Sequence, residues 1–368
     1  LVGEFGGPVQ VRERAELETL MVRLPVCIAI KGWASDDANA TCSRALALAE
    51  SLGDRDTESS ILYHMATMHE VRGEYSKTQE VLARRFRILR QPPEPEPAVE
   101  SGELMACSTF YQGRFTTSIA HATEALHYAD PENQTRLGAS LSEDPLVACL
   151  FWLAKSLLLQ GLIDQSRAKQ HEAMDCAQRS TAWYARSQAD VDAAMLSAFR
   201  RDINAALHHA NQAADSSARV GLAYREAVAA VVQEWARAQA RKTSDLKKVD
   251  ASLRIFREVG AMIGYGFYLG LAAEAHACVG EMDRSIELID EAIASCGDTR
   301  GFFYESELYR LKGDFKLMHN GLRANSSAEY CFERSLQIAR SQGARLFELR
   351  TAVSFGDMRI RQGRNANA

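Results

Sequence analysis

Prolines and strand signals are scarce in this sequence. All eight prolines lie at or before Pro145, and the rest of the 368-residue chain has none. Proline breaks helices because it lacks a backbone N–H and its ring clashes with the preceding turn. No segment shows the alternation of β-branched or aromatic residues with polar ones that marks a half-buried strand. These two absences exclude a β-rich fold and allow a long succession of helices.

The cysteines form no pattern that would join them. None of the eight belongs to a C-x-x-C pair, and most fall within helical apolar patterns, where a free cysteine acts as a small hydrophobic residue. They are Cys27, Cys42, Cys107, Cys149, Cys176, Cys278, Cys296 and Cys331. We therefore expect no disulfide framework, no metal site and no cofactor, and a reducing, cytoplasmic location.

Long apolar runs and a strong net charge are absent as well. No run approaches the roughly 18 residues of a membrane-spanning helix, and no signal peptide opens the chain. The net charge is -5 and the pI is about 6.0, so no overall field attracts nucleic acid. We expect no membrane contact and no direct nucleic-acid binding by this region. The first residue is Leu1, which predicts a fragment of a longer protein.

The sequence contains an internal repeat of predicted helices. A helical stretch ends in Gly or a polar residue, a bulky apolar residue follows two positions on, and a helix rich in small residues comes next. The segment recurs about every 40 residues, which is a solenoid-like period. It begins at Gly73, Gly113, Gly161, Gly280 and Gly313, with a version lacking Gly at Arg201, a degenerate turn near Lys242 and a last turn at Gly363.

Glycine also marks the ends of the second helices. Gly can adopt the left-handed conformation that terminates a helix, and it follows five apolar-periodic runs. These residues are Gly53, Gly221, Gly260, Gly297 and Gly343. The repeats predict an all-α fold, an α-solenoid of antiparallel helix pairs that resemble tetratricopeptide repeats, wound into a right-handed superhelix with the first helices inside.

The repeat boundaries give a helix map for a single solenoid over residues 1–368. The predicted pairs are 11–31 with 36–52, 57–72 with 76–90, 101–112 with 116–129, 145–160 with 164–180, 183–200 with 203–219, 222–241 with 245–259, 262–279 with 283–296, and 302–318 with 326–342. Irregular loops are predicted near 91–101 and 130–144, and Ser35 is predicted to cap the second helix. The final helix, 345–362, has no partner, which implies either truncation or a homodimer contact.

Four stretches carry a resemblance to a known family. They are 28–33 (IAIKGW), 144–150 (DPLVACL), 303–313 (FYESELYRLKG) and 328–340 (AEYCFERSLQIAR), the last followed by Gly343-Ala344 and by 348–350. The chain resembles the C-terminal tetratricopeptide-like region of bacterial multidomain signalling ATPases, many of which carry an adenylate/guanylate cyclase or DNA-binding domain. The resemblance implies a regulatory or interaction region. Any cyclase or ATPase activity would belong to other domains of the parent protein.

The sequence offers no catalytic constellation of its own. The phosphate-binding loop G-x-x-x-x-G-K-[ST] and the G-x-S-x-G elbow are both absent. His64 and His69 lie five residues apart, which places them about 140° apart around a helix, a poor arrangement for holding one metal ion. We therefore predict that the chain is not an enzyme.

The first helices are predicted to line a concave groove that binds a partner. The groove candidates are Phe110, Phe151, Lys155, Tyr184, Gln188, Arg225, Phe267, Glu274, Glu307 and Arg310. Packing between repeats is the alternative role for the aromatic residues, and an i,i+3 ion pair is the alternative for Glu307 and Arg310. Replacing Lys155 and Arg225 together with Ala is expected to weaken binding and leave stability nearly unchanged.

Two functions fit this groove. The first is a non-catalytic scaffold that binds a partner protein, a peptide or another domain of its parent signalling protein. The second is a small-molecule sensor of a bacterial signalling ATPase, cyclase or transcriptional regulator, in which the ligand shifts the curvature of the array.

Overall fold

The computed structural model describes residues 9–89, 94–129, 144–180, 184–220, 223–241, 243–296 and 302–363. These segments contain 17 α-helices, one short 3₁₀ helix at Gly321–Ala324 and no strand. The α-helices are α1 (Val9–Lys31), α2 (Asp36–Leu52), α3 (Arg55–Val71), α4 (Tyr75–Ile88), α5 (Pro95–Tyr111), α6 (Phe115–Tyr128), α7 (Pro145–Leu159), α8 (Ile163–Arg179), α9 (Ala185–Arg200), α10 (Ile203–Val220), α11 (Ala223–Gln239), α12 (Leu246–Glu258), α13 (Tyr265–Cys278), α14 (Met282–Ser295), α15 (Glu305–Asn320), α16 (Asn325–Gln342) and α17 (Arg345–Arg361).

The helices form pairs in chain order. We call the odd-numbered helices A helices and the even-numbered ones B helices, and each A helix packs against the B helix that follows it. Eight pairs result, with α17 as a further A helix. The predicted α-solenoid is confirmed, and most helix bounds agree with the predicted map to within a few residues.

Glycine ends the A helices as predicted at five turns. Gly73, Gly113, Gly161, Gly280 and Gly363 all have positive φ, between 70° and 89°. In the turn without glycine, Arg201 takes the same left-handed conformation at φ 60°, which few non-glycine residues adopt. Among the predicted B-helix stops, Gly53, Gly260 and Gly343 have positive φ, whereas Gly221 and Gly297 lie outside the described residues, as does Lys242.

Two predictions about local structure are wrong. Gly313 does not end a helix: it lies inside α15, where a Cβ atom would come within 2.6 Å of the Phe332 ring, so glycine permits close packing of α15 on α16. The loop predicted near 91–101 ends early, because α5 begins at Pro95. Proline fits the first turn of a helix, where the N–H has no intrahelical partner.

Polar caps explain several other helix starts. The Ser35 side chain accepts a hydrogen bond from the Ala38 N–H at 3.4 Å, which confirms the predicted cap of α2. Asp144 caps α7 in the same way, accepting from the N–H groups of Leu146 and Val147. The rest of the loop predicted near 130–144 lies outside the described residues.

The A helices form the interior of the superhelix. Every residue of α7 is buried, and so is every residue of α13 from Tyr265 to Ala277. The B helix α14, in contrast, buries only Ser285, Leu288, Ile289 and Ala292. From the second pair to the seventh, the A helix is the more buried member of the pair, as expected for first helices that face inward.

The superhelix winds tightly enough for early and late pairs to touch. The Met262 N–H donates to the carbonyl oxygen of Val71 at 2.8 Å, and the Phe303 N–H donates to that of Tyr111 at 3.0 Å. One pair further along, Gly161 lies against Arg345 of α17. We call this line of contacts the seam. It joins the A–B turns of the second, third and fourth pairs to the starts of α13, α15 and α17.

Candidate functional site

The three phenylalanines predicted to line the groove are buried. Phe110, Phe151 and Phe267 are each 0% exposed. Phe110 and Phe267 join an aromatic core inside the superhelix, with ring centroids 4.8 Å apart for Phe110–Phe303 and 4.9 Å for Phe199–Phe267. Their predicted place on an open surface is wrong, because the seam draws the A helices together and their inner faces fill the interior.

Three polar candidates meet in one place. Lys155 of α7, Gln188 of α9 and Arg225 of α11 line a cavity of about 70 Å³ between successive A helices. Its walls also carry Asp192 and the aromatic residues Tyr111, Trp152, Tyr224 and Tyr268. We call this cavity the inner cleft. Asp192 was not predicted, because it lies on α9 and no local pattern pairs it with Lys155 of α7. Trp152 lies three residues before Lys155 on α7, a spacing that places both side chains on one face of the helix and could have indicated their contact.

Lys155 is a buried cation with two partners. Its ammonium group lies 2.6 Å from Asp192 Oδ1 and 3.6 Å from the centre of the Trp152 ring, and the side chain is 1% exposed. Removing one member of a buried ion pair leaves the other charge unpaired and destabilises the fold. The expectation that replacing Lys155 would leave stability unchanged is therefore wrong.

Gln188, Tyr184 and Arg225 fix the backbone around the inner cleft. The Asp144 N–H donates to Gln188 Oε1 at 2.8 Å, which ties α9 to the start of α7. Arg225 Nη1 donates to the carbonyl oxygen of Tyr184 at 3.2 Å, and Tyr184 itself is buried. Arg225 is half-buried and lines the inner cleft.

The inner cleft offers more donors than acceptors. Burial and the nearby Asp192 carboxylate raise the pKa of Tyr268 well above its ordinary value, so its hydroxyl keeps its proton. The lining of the inner cleft includes two cations, Lys155 and Arg225, and one carboxylate, Asp192, which pairs with Lys155. Aromatic walls with a few fixed polar groups are typical of a site that orients a small polar ligand or one side chain of a peptide.

The remaining candidates, Glu274, Glu307 and Arg310, belong to a second cluster. Glu307 is 0% exposed and accepts from Arg310 Nε at 2.8 Å, from Arg201 Nη2 at 2.9 Å and from Arg350 Nη1 at 3.3 Å. Arg201 also pairs with Glu274, which accepts from the Trp235 indole N–H at 2.9 Å. The i,i+3 pair considered for Glu307 and Arg310 is present within this larger network.

The network joins distant parts of the chain. Burial alone would raise the pKa of Glu307, but the charges of Arg310, Arg350 and Arg201 hold it far below its usual range. Arg350 also donates to the carbonyl oxygen of Phe199. The sequence could not reveal Arg201 or Arg350 as members, because they approach Glu307 only when the superhelix closes. We interpret this cluster as a structural clamp rather than a binding site.

Within the described segments, no three His, Cys, Asp or Glu side chains are grouped to hold a metal ion. No helix there combines the length and the apolar character needed to cross a bilayer.

Solved structures share this architecture. A signal transduction ATPase with numerous domains, carrying a tetratricopeptide repeat sensor, from Pyrococcus horikoshii, superposes with a TM-score of 0.51 at 11% identity, over 95% of this chain. This chain spans only 50% of that protein's length. A Rap protein complexed with competence and sporulation factor superposes with a TM-score of 0.53 at 13% identity, over 94% of this chain and 99% of the Rap chain.

The fold is that of a tetratricopeptide-like repeat array. The resemblance seen in the sequence, to the repeat region of signalling ATPases, is confirmed at the level of the fold. No family model matches the chain, and no curated protein matches it in sequence. At these identities the structural similarity establishes the architecture alone.

Proposed function

We propose that this chain is a non-catalytic regulatory scaffold that binds a partner protein, or another domain of its own polypeptide, through the inner face of the array. The inner cleft carries the proposal, because it brings Lys155, Gln188 and Arg225 from three successive A helices to one partly accessible place. The two similar structures fit this role: one is an ATPase with a tetratricopeptide repeat sensor, and the other is a Rap protein complexed with competence and sporulation factor.

The mode of recognition follows from the filled interior. The aromatic core occupies most of the inner face, so a peptide would insert one anionic or polar side chain into the inner cleft and lie along its mouth. Arg225 would meet an anionic group there, while Lys155, already paired with Asp192, would hold the site in shape. A peptide side chain that is buried among a few fixed polar groups supplies much of the binding free energy.

A peptide-selection experiment tests this proposal. A random peptide library displayed on phage is selected against the immobilised chain, and the selected peptide is measured by titration calorimetry. Arg225→Glu reverses the charge at the inner cleft and should weaken binding at least about tenfold. Arg254→Glu makes the same change on the exposed side of α12 and is the matched control. Equal binding by wild type and Arg225→Glu would contradict the proposal.

Small-molecule sensing is the second candidate function. The small volume of the inner cleft and its aromatic walls favour it, since they suit a compact polar ligand better than a long peptide. A thermal-shift screen with small carboxylates and amino acids distinguishes peptide binding from small-molecule sensing. A compound that stabilises wild type and Arg254→Glu but not Arg225→Glu would support sensing, because a ligand that binds only the folded chain raises its melting temperature.

A further inference from the structure

A second, larger cavity lies in the seam. Its volume is about 570 Å³, whereas that of the inner cleft is about 70 Å³, and sites for small organic molecules measure roughly 300 to 1,000 Å³. Its walls come from the turn between α3 and α4, the end of α5, the start of α13, the end of α14 and Phe302. We call this space the seam cavity. It shares no described lining residue with the inner cleft.

Two hydrogen bonds of the seam border this cavity. The bond from the Met262 N–H to the Val71 carbonyl oxygen lies on one side, and Met262 itself lines the cavity. The bond from the Phe303 N–H to the Tyr111 carbonyl oxygen lies on the other side, next to the lining residue Phe302. The cavity therefore has walls on both early and late helix pairs, and a molecule bound in it would contact both.

The wall of the seam cavity carries aromatic rings that are held in place. Tyr75 and Phe302 both line it and are only 2% and 5% exposed. The Tyr75 ring is stacked on that of Tyr111, with centroids 5.2 Å apart and planes 6° apart. Gly266 makes room for Phe302, because a Cβ atom there would lie 2.9 Å from the Phe302 ring. Fixed aromatic surfaces of this kind favour a ligand that contains an aromatic ring.

Arg72 brings a positive charge to the same wall. Its Nη2 donates to the carbonyl oxygen of Ala34 at 2.6 Å, and its Nε and Nη1 make no hydrogen bond to any residue that the structure describes. The Asp36 carboxylate lies 3.9 Å away but is fully exposed to solvent, so it compensates little of this charge. The guanidinium is thus positioned by main-chain oxygens and keeps donors for an anionic group.

The carboxylate in the described lining does not offset Arg72. Glu74 lies 2.6 Å from His69 Nδ1 and 2.8 Å from Lys77 Nζ, so its two oxygens are already engaged. Lys77 also lines the cavity and adds a second cation. The charges around the seam cavity therefore favour an anion.

We propose that the seam cavity binds a small aromatic anion, with its ring against Tyr75 and Phe302 and its charged group on Arg72. This site is separate from the inner cleft and is an addition to the proposed function. A ligand placed there bridges early and late helix pairs, so it holds the seam closed and stabilises the folded chain.

Fluorescence titration with two probes tests the proposal on the whole chain. Anilinonaphthalene sulfonate is an aromatic anion, and phenylnaphthylamine has the same rings without the sulfonate; both become brighter in an apolar site. Wild type should bind both probes. Arg72→Gln should weaken binding of the sulfonate at least about tenfold, because hydrogen bonds to a charged group are lost, and should change the affinity for the neutral probe less than about twofold.

A second variant fills the cavity. Ser295→Trp places an indole in it from the end of α14 and should weaken binding of both probes at least about tenfold. Ser51→Trp is the matched control and should leave binding unchanged. Ser51 is also exposed, lies at the end of the B helix α2 and, like Ser295, donates from its hydroxyl to the carbonyl oxygen three residues earlier.

Arg225→Glu distinguishes the seam cavity from the inner cleft, and it should leave binding of both probes unchanged. Sulfonate binding that falls with Arg225→Glu but not with Arg72→Gln would overturn the proposal, and so would probe binding that survives Ser295→Trp. A wild-type chain that binds neither probe would also overturn it. Circular dichroism checks that each variant is folded; if Arg72→Gln loses helicity, the comparison of Ser295→Trp with Ser51→Trp decides.

Discussion

Removing the charge of Glu307 should destabilise the array more than any surface change. Glu307→Gln keeps the shape of the side chain but leaves Arg201, Arg310 and Arg350 around a neutral amide. Breaking a buried ion pair by removing one partner costs about 3 to 5 kcal/mol of unfolding free energy. We expect a loss in this range, because Glu307 is fully buried and three guanidinium groups donate to it.

Urea unfolding followed by tryptophan fluorescence measures this loss. Trp235 is a suitable reporter, because its indole N–H donates to Glu274 within the same cluster. Glu333→Gln, at an exposed position on α16, is the control and should change stability by less than about 0.5 kcal/mol. If Glu307→Gln matched this control, the cluster would not be the clamp that the structure indicates.

Three further changes test the burial of individual residues. Burial raises the pKa of Asp190 from 3.8 to about 6, so the fold loses stability as the pH rises from about 4 to about 6 and the loss persists above that range. Asp190→Asn should therefore raise the unfolding free energy at pH 7.5 and have little effect near pH 4. Burial, with the charge of Arg85, lowers the pKa of His64 to about 4. Between pH 6.5 and pH 4 this histidine is therefore protonated in the unfolded chain but neutral in the fold, so acidification destabilises the fold. His64→Gln should flatten this part of a curve of melting temperature against pH. A Cβ atom at Gly102 would lie 2.6 Å from that of Ala125, so Gly102→Ala should cost about 1 to 3 kcal/mol in urea unfolding, and a more stable variant would refute the close approach of α5 and α6.

The sequence predicted the helices well because their ends depend on local signals. Glycine at the A–B turns and Ser35 before α2 act within a few residues, so the repeat spacing alone revealed them. Gly313 and Pro95 were misjudged because each residue type has two uses. Glycine ends helices and also permits close packing, and proline breaks helices yet suits their first turn.

The candidate site was harder to predict because it depends on the winding of the superhelix. The period of the repeats identified the inward-facing helices, which is why Lys155, Gln188 and Arg225 were found. It did not reveal how tightly the array closes. The seam brings Phe303 against Phe110, and no local pattern reports a contact between residues so far apart in the chain.

Hydrogen exchange is the most direct test of the claim that ligands bind at the inner cleft. Exchange is measured by mass spectrometry on the whole chain, with and without the selected peptide at saturating concentration. Binding at the inner cleft should add protection in α7, α9 and α11, which line it, and none in the exposed B helices α8 and α14. Protection in the B helices or in α17, with α7, α9 and α11 unchanged, would contradict it.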